Sequence, residues 1–309
     1  GHRPRVKSAR QILAELDGLY DAGWRGSVFF VDDNFIGNKT SLKDELLPAL
    51  IDWRKGKRGL AFNTEVSINL ADDDRLLRLM VEAGFDTVFV GIETPDRDSL
   101  AECRKKQNMD RDLVADVKRI QRAGLQVQGG FILGFDSDSP HAVQRLVDFI
   151  QKSGIVTAMV GLLQATPGTK LHERLKRAGR LRERASGGDN TDGTTNIIPL
   201  VSLEALRQGY KDLLQHIYSP KVYYQRVKTF LREYRVPRIK IRLDVGYLLG
   251  QALALLRSVY RLGFLGKERV QYWRLLCWTI FRRPRSLPLA VTLAIYGYHF
   301  RKVCELHVQ

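Results

Sequence analysis

The chain has 309 residues, 44% hydrophobic and 27% charged, with a net charge of +16. That balance excludes a disordered or collagen-like chain and leaves room for one large folded domain or two ordinary ones. Its three cysteines, Cys103, Cys277 and Cys304, are too far apart for a disulfide framework or a thiolate metal site, so a reducing, cytoplasmic setting is expected.

In chain order, Ser8 reads as the N-cap of a helix through Ile12, Leu13, Leu16, Leu19 and Tyr20 that ends near Gly23. The run Ser27-Val28-Phe29-Phe30-Val31 reads as a buried parallel strand, and it leads directly into Asp32 and Asp33. Charge is costly inside such a strand, so the pair belongs where the strand ends and solvent or ligand begins. A helix is expected around 41–54 and a strand around 60–68, with Glu65 inside an otherwise apolar stretch. Asp72 and Asp73 should cap a helix that Gly84 stops. Strand Thr87 to Ile92 ends at Glu93, and a helix follows from about Asp110 to Ala123. Strand Val127 to Leu133 ends at Gly134-Phe135-Asp136. Ser139-Pro140 then looks like a cap with proline at the first helical position. A strand around 155–164 ends at Gln164, before a helix over about 170–178.

Five strands alternating with helices predict a parallel sheet of right-handed crossovers, α/β in class. The even step favours a barrel or partial barrel. A dinucleotide fold or P-loop lacks its glycine-rich phosphate cradle here. In a barrel the strand ends gather at one mouth, which would place Asp32, Asp33, Glu65, Glu93, Asp136 and Gln164 around a ligand site. The helix over 8–23 has no strand before it, and the chain opens Gly1-His2-Arg3 without an initiator Met. We therefore expect a piece that starts one strand late.

Four stretches together carry a resemblance: Phe29-Phe30-Val31-Asp32-Asp33-Asn34-Phe35, Val90-Gly91-Ile92-Glu93-Thr94, Gly129-Gly130-Phe131-Ile132-Leu133-Gly134-Phe135 and Thr166-Pro167-Gly168-Thr169. Their order at successive strand ends resembles the radical S-adenosylmethionine superfamily, most closely its cobalamin-binding branch with a helical C-terminal extension, which includes hopanoid methylases. The resemblance implies a partial (β/α) barrel that lacks its first strand. It implies S-adenosylmethionine, a 4Fe-4S cluster and cobalamin as cofactors, and a reductant protein for the intact enzyme. The family's cluster is held by a CxxxCxxC loop that does not occur in this chain, and the segment Arg3 to Ser8 resembles the stretch just after that loop. By the same resemblance the Asp32–Asp33 region meets the cofactor's amino group, Glu93 its ribose or methionine end, and Gly129, Gly130, Ile132 and Gly134 run close to adenine. Glu65 and Gln164 are further candidates for contact. Alternation along the strand lets one of Asp32 and Asp33 point inward and does not say which.

The expected units are a barrel over 1–185, a polar linker over 186–200 and a basic helical region over 201–309. Residues 1–200 carry a net +2 and residues 201–309 a net +14. Helices are expected over about 203–217, 220–234, 239–262, 266–281 and 286–304. Across the first two of them Tyr218, Tyr223, Tyr224, Phe230 and Tyr234 interleave with Lys221, Arg226, Lys228 and Arg232. Basic helices with apolar faces lie on anionic membranes or pack as a bundle with a solvated rim, and we rank membrane contact ahead of nucleic acid. The functional expectation is cobalamin-dependent methylation of an unactivated carbon on a lipid-like, small-molecule substrate, at a cytoplasmic location peripheral to the membrane. The alternatives are another radical reaction (oxidation, rearrangement or C–C coupling), or a silent barrel joined to a membrane-binding module. A metal-dependent barrel enzyme using Asp32, Asp33 and Glu93 lacks a histidine ligand set.

Overall fold

A computed structural model describes residues 6–182, 193–237 and 245–307. Residues 186–192 of the expected linker, the lead-in before Val6 and the start of the helix expected from 239 lie outside the described residues.

Ser8 caps helix α1 (Ala9–Asp21) through a reciprocal pair: its hydroxyl accepts from Gln11 N, and its own N–H donates to Gln11 Oε1. Strands β1 (Ser27–Phe30), β2 (Ala61–Val66), β3 (Phe85–Glu93), β4 (Gln126–Leu133) and β5 (Ala158–Leu162) form one parallel sheet in the order β1-β2-β3-β4-β5. A strand order equal to chain order means that every crossover steps the same way, as in a barrel; a doubly wound sheet would reverse direction at a switch point. The connections carry α2 (Lys39–Ser41), a π-helical stretch Leu42–Leu46, α3 (Leu47–Arg54), α4 (Asp74–Ala83), α5 (Arg97–Glu102), α6 (Leu113–Ala123), α7 (Ala142–Ser153) and α8 (Lys170–Arg177).

The sheet is covered on one face only. Phe62, Thr64, Val66, Val88, Val90, Val127, Phe131 and Leu133 are buried against the helices. The alternate positions, among them Asn63, Glu65, Phe89, Gln128, Gly130 and Ile132, stay half exposed. Parallel sheets normally bury both faces, so this open face is the inner wall of an incomplete barrel.

Several local expectations need correction. The run at 27–31 was expected to be a buried strand, but β1 is an edge strand, and Phe29 is 46% exposed because β1 pairs on one side only. Asp73 alone caps α4, accepting from Leu76 N at 3.0 Å. Asp72 instead takes a bidentate contact from Arg111, at 2.9 and 2.7 Å. Ser139-Pro140 does not open α7; the turn runs on to His141 and the helix starts at Ala142. The short α5 after Glu93 was not anticipated.

Helices α9 (Leu203–Ile217), α10 (Pro220–Glu233), α11 (Val245–Ser258), α12 (Arg269–Arg282) and α13 (Leu287–His307) complete the chain. The aromatics on and flanking α10 are core residues, not a membrane-facing stripe: Tyr218, Tyr223, Tyr224, Phe230 and Tyr234 are all buried. Arg226 lies fully buried among them. The Tyr218 hydroxyl donates to Ala158 O at 2.8 Å and so ties the helical region to β5. No helix among the described residues is long and apolar enough to cross a membrane.

Candidate functional site

At the carboxyl ends of β1, β2 and β3 a groove of about 200 Å³ is lined by Asp33, Asn34, Glu65, Ser67, Phe89, Gly91, Glu93, Lys105 and Gln107, with Val66 behind them. Each strand delivers its residue by a different route. The backbone turns just after β1 (Asp32 N to Phe30 O, 3.1 Å), and Asn34 Oδ1 accepts from Ser67 N at 3.1 Å, which fixes the Asp33 loop to the end of β2. Glu65 points from β2 into the open face because it alternates with the buried Thr64 and Val66.

Glu93 is held under strain. Its φ is +65°, a left-handed conformation that is uncommon outside glycine, and the β3–β4 register slips between Gly91 and Glu93. Two contacts hold it there. Lys105 Nζ lies 2.6 Å from Glu93 Oε1, and Asn108 Nδ2 donates to Gly91 O and Ile92 O at 3.2 and 2.9 Å. A Cβ at Gly91 would sit 2.7 Å from Glu93 Oε1, so any larger residue there would push that carboxylate aside.

Three carboxylates thus face one lysine across the groove, a net negative site suited to a cation. The pKa of Glu65 lies above the ordinary carboxylate range, first because burial removes water and then because Asp33 is near. A carboxyl with a raised folded pKa favours the fold when protonated and costs stability once pH passes that value. Glu65→Gln should therefore raise the melting temperature at pH 7. The advantage should vanish as pH falls through the ordinary glutamate range; a thermal melt series from pH 4 to 8 checks both.

The expected residues do not all meet. Asp33, Glu65 and Glu93 line the groove, and Gly130 lies beside it on the open face, where a Cβ would meet the Phe89 ring at 2.7 Å. Asp32 lies outside the groove lining. Gly129 points to the helix-covered side, where a Cβ would meet Phe131 and Ile155. Gly134, with φ +100°, shapes a turn whose N–H groups, its own and that of Phe135, donate to Asp138 Oδ2. Ile132 packs against the small cluster of Phe135, Leu163, Ala165, Leu175 and Ile197. Gln164 is engaged at both ends, with Thr194 O at 2.6 Å and Asn196 N at 3.2 Å. Asp136 is bound by Arg180 at 2.9 and 2.7 Å. Lys105, Gln107 and Asn108 were missed, because they sit in the irregular stretch after α5 with no periodic pattern to single them out.

Comparison with known proteins gives the context. A family model described as the radical SAM superfamily matches residues 1–150, and one described as a domain of unknown function, DUF4070, matches 169–309. A protein described as an uncharacterized methyltransferase of Synechocystis sp. is 38% identical over 308 residues, covering 99% of this chain and 57% of that protein. The hopanoid C-2 methylase of Rhodopseudomonas palustris is 35% identical over 280 residues, covering 89% and 52%. The chain thus spans about half the length of these relatives. The structure of the radical S-adenosylmethionine methyltransferase TsrM from Kitasatospora setae, with cobalamin and a 4Fe-4S cluster bound, superposes with a TM-score of 0.56 at 14% identity, over 95% of this chain and 56% of that one. At that identity it speaks to the fold alone.

Proposed function

Because residues 1–150 belong to the radical S-adenosylmethionine superfamily and fold as part of its barrel, we propose that the strand-end groove holds the amino-acid end of S-adenosylmethionine. The whole protein then methylates an unactivated carbon of a lipid-like substrate. The observation that carries the binding reading is the set of Asp33, Glu65 and Glu93 set against a single Lys105. The lipid-like substrate rests on the likeness to the hopanoid methylase, and membrane contact through 201–309 goes with it.

The cofactors fit this chain unevenly. S-adenosylmethionine carries an ammonium and a sulfonium, and the paired charges of Asp33 and Glu65 are relieved by a cation. A groove of about 200 Å³ is smaller than the roughly 300–1,000 Å³ of a site that encloses a drug-sized ligand, so it takes one end of the molecule. The remainder would lie along the open sheet face, where the Phe89 ring packs over Gly130. For a 4Fe-4S cluster the donors do not fit. Cys277 and Cys304 lie on α12 and α13, Cys103 ends α5, and among the described residues no three His, Cys, Asp or Glu side chains are placed so that they could hold a metal ion. Neither the cluster nor cobalamin is assigned to a residue of this chain.

S-adenosylmethionine, when bound, supplies the activated methyl group and the source of a carbon radical. The chain's own residues bind and orient it. Asp33 and Glu65 accept from the ammonium. Lys105 holds Glu93 in its strained pose, so that its free oxygen can accept from a ribose hydroxyl. The Phe89 ring lies over Gly130 on the open face.

Gly91→Ala should disturb this arrangement with little effect on folding, because the atoms it displaces are the flexible ends of Glu93 and Lys105. Weaker S-adenosylmethionine binding in equilibrium dialysis, at an unchanged melting temperature, is the expected result. For the whole reaction, the full-length protein is expressed in cells fed methionine with a deuterated methyl group. Deuterated methyl in extracted lipids supports the reading. Label recovered only outside lipids overturns the substrate class.

A further inference from the structure

The C-terminal helices carry two exposed apolar stripes that meet. Leu256 on α11, and Tyr260 and Phe264 on the π-helical turn that extends it (Val259–Leu265), recur every four residues, and Leu256 and Phe264 are 65% and 63% exposed. On α12, Val270, Trp273 and Phe281, spaced three and eight residues apart, are also exposed, Phe281 at 84%. The Phe264 and Trp273 rings meet edge to face at 6.1 Å, and Trp273 Nε1 donates to Gly263 O at 3.0 Å. The two stripes are thereby fixed into one surface. The opposite sides of the same helices face inward: Leu262, Tyr272, Leu275 and Leu276 are buried, and the Ser258 and Tyr272 hydroxyls bond at 2.7 Å.

The charge around this surface has one sign. Residues 250–285 hold eight lysines and arginines and one acidic residue, Glu268. That carboxylate is buried and paired with Arg301, so it screens nothing outside. Arg257, Arg261, Lys267 and Arg274 are exposed, with no ion-pair partner among the described residues.

We propose that the α11–α12 face seats on an anionic lipid surface, with Phe264, Trp273 and Phe281 entering the headgroup–acyl boundary and the arginines reaching phosphates. Apolar side chains ringed by cations with long stems suit that boundary, where the stems lie in the apolar layer and the charges in the headgroups. A second copy of the chain would cover the stripes but would press two unpaired cationic rims together. A nucleic acid would satisfy the arginines and leave Leu256 and Val270 without a partner. This inference rests on the membrane-facing reading of residues 201–309 and not on the chemistry of the groove. Its test needs no S-adenosylmethionine, so its failure leaves the groove reading standing.

The test is flotation of the whole chain with phosphatidylglycerol-containing vesicles, against vesicles of phosphatidylcholine alone. The expected result is binding that falls roughly tenfold without the anionic lipid, and roughly tenfold again in the Phe264→Ser, Phe281→Ser variant. If that variant melts earlier than the parent, Arg257→Gln, Arg261→Gln replaces it, with the same loss expected at low salt. No vesicle binding overturns the proposal, and so does binding indifferent to these substitutions. A salt-sensitive RNA complex in place of vesicle binding overturns it too, as does a dimer dispersed by the serine substitutions.

Discussion

Arg226→Ala is expected to lower the unfolding free energy by about 3–5 kcal/mol, the largest stability loss for one side chain outside the sheet. Arg226 is fully buried and has no carboxylate beside it. It is held by neutral acceptors: Gln151 Oε1 at 2.7 Å, Ile217 O at 2.8 Å and Val156 O at 3.3 Å. The rings of Tyr218 and Tyr223 lie 5.6 and 5.2 Å from the guanidinium carbon. Burial lowers its pKa, but a guanidinium starts so high that it keeps its charge. Removing it opens a cavity and strands acceptors on α7, on α9 and at the entry to β5, so the helical region loses one of its ties to the sheet. Arg226→Met fills most of the volume and forfeits only the hydrogen bonds, for which about 1–3 kcal/mol is expected. Urea denaturation of the three proteins measures both; a loss under about 1 kcal/mol for the alanine variant contradicts this account of the junction.

The largest functional effect is expected from Asp33→Asn combined with Glu65→Gln. Hydrogen bonds to charged groups are worth about 1.5–3 kcal/mol against about 0.5–1.5 for neutral ones, so exchanging both carboxylates for amides loses about 2–3 kcal/mol and should weaken S-adenosylmethionine binding by roughly 30–150-fold. The same double variant should be more stable than the parent at pH 7, because Asp33 adds to the burial cost that already raises the Glu65 pKa. A gain in stability with a loss of affinity marks residues kept for a ligand, whereas residues kept for the fold would lose both. Equilibrium dialysis alongside thermal melts separates the two outcomes.

The sequence was most legible where one local rule acted alone. Ser8 caps its helix through its own hydroxyl, and Gly84 stops α4 in the left-handed conformation. It misled where partners lie far away in the chain. Nothing local distinguishes Asp72 from Asp73, yet Arg111 takes one and the α4 N-terminus takes the other. The aromatic and basic interleaving of α10 looked like a surface because the residues that bury it, on α7 and α13, are 70 or more positions away. The membrane-suited stripes lie on α11 and α12, and their exposure depends on packing that periodicity does not report. At the groove, Asp33, Glu65 and Glu93 were within reach because strand ends converge. Lys105 was not, because an ion pair across an irregular loop leaves no trace in spacing.

The most direct test of the groove reading is the Glu65 carboxyl titration, followed by carbon-detected NMR with and without S-adenosylmethionine. A ligand ammonium beside Glu65 favours its charged form, so the raised pKa should drop on binding, and the drop should be absent in Asp33→Asn, Glu93→Gln protein that no longer takes up the ligand. A Glu65 titration unchanged by saturating S-adenosylmethionine would show that the cofactor binds elsewhere or not at all.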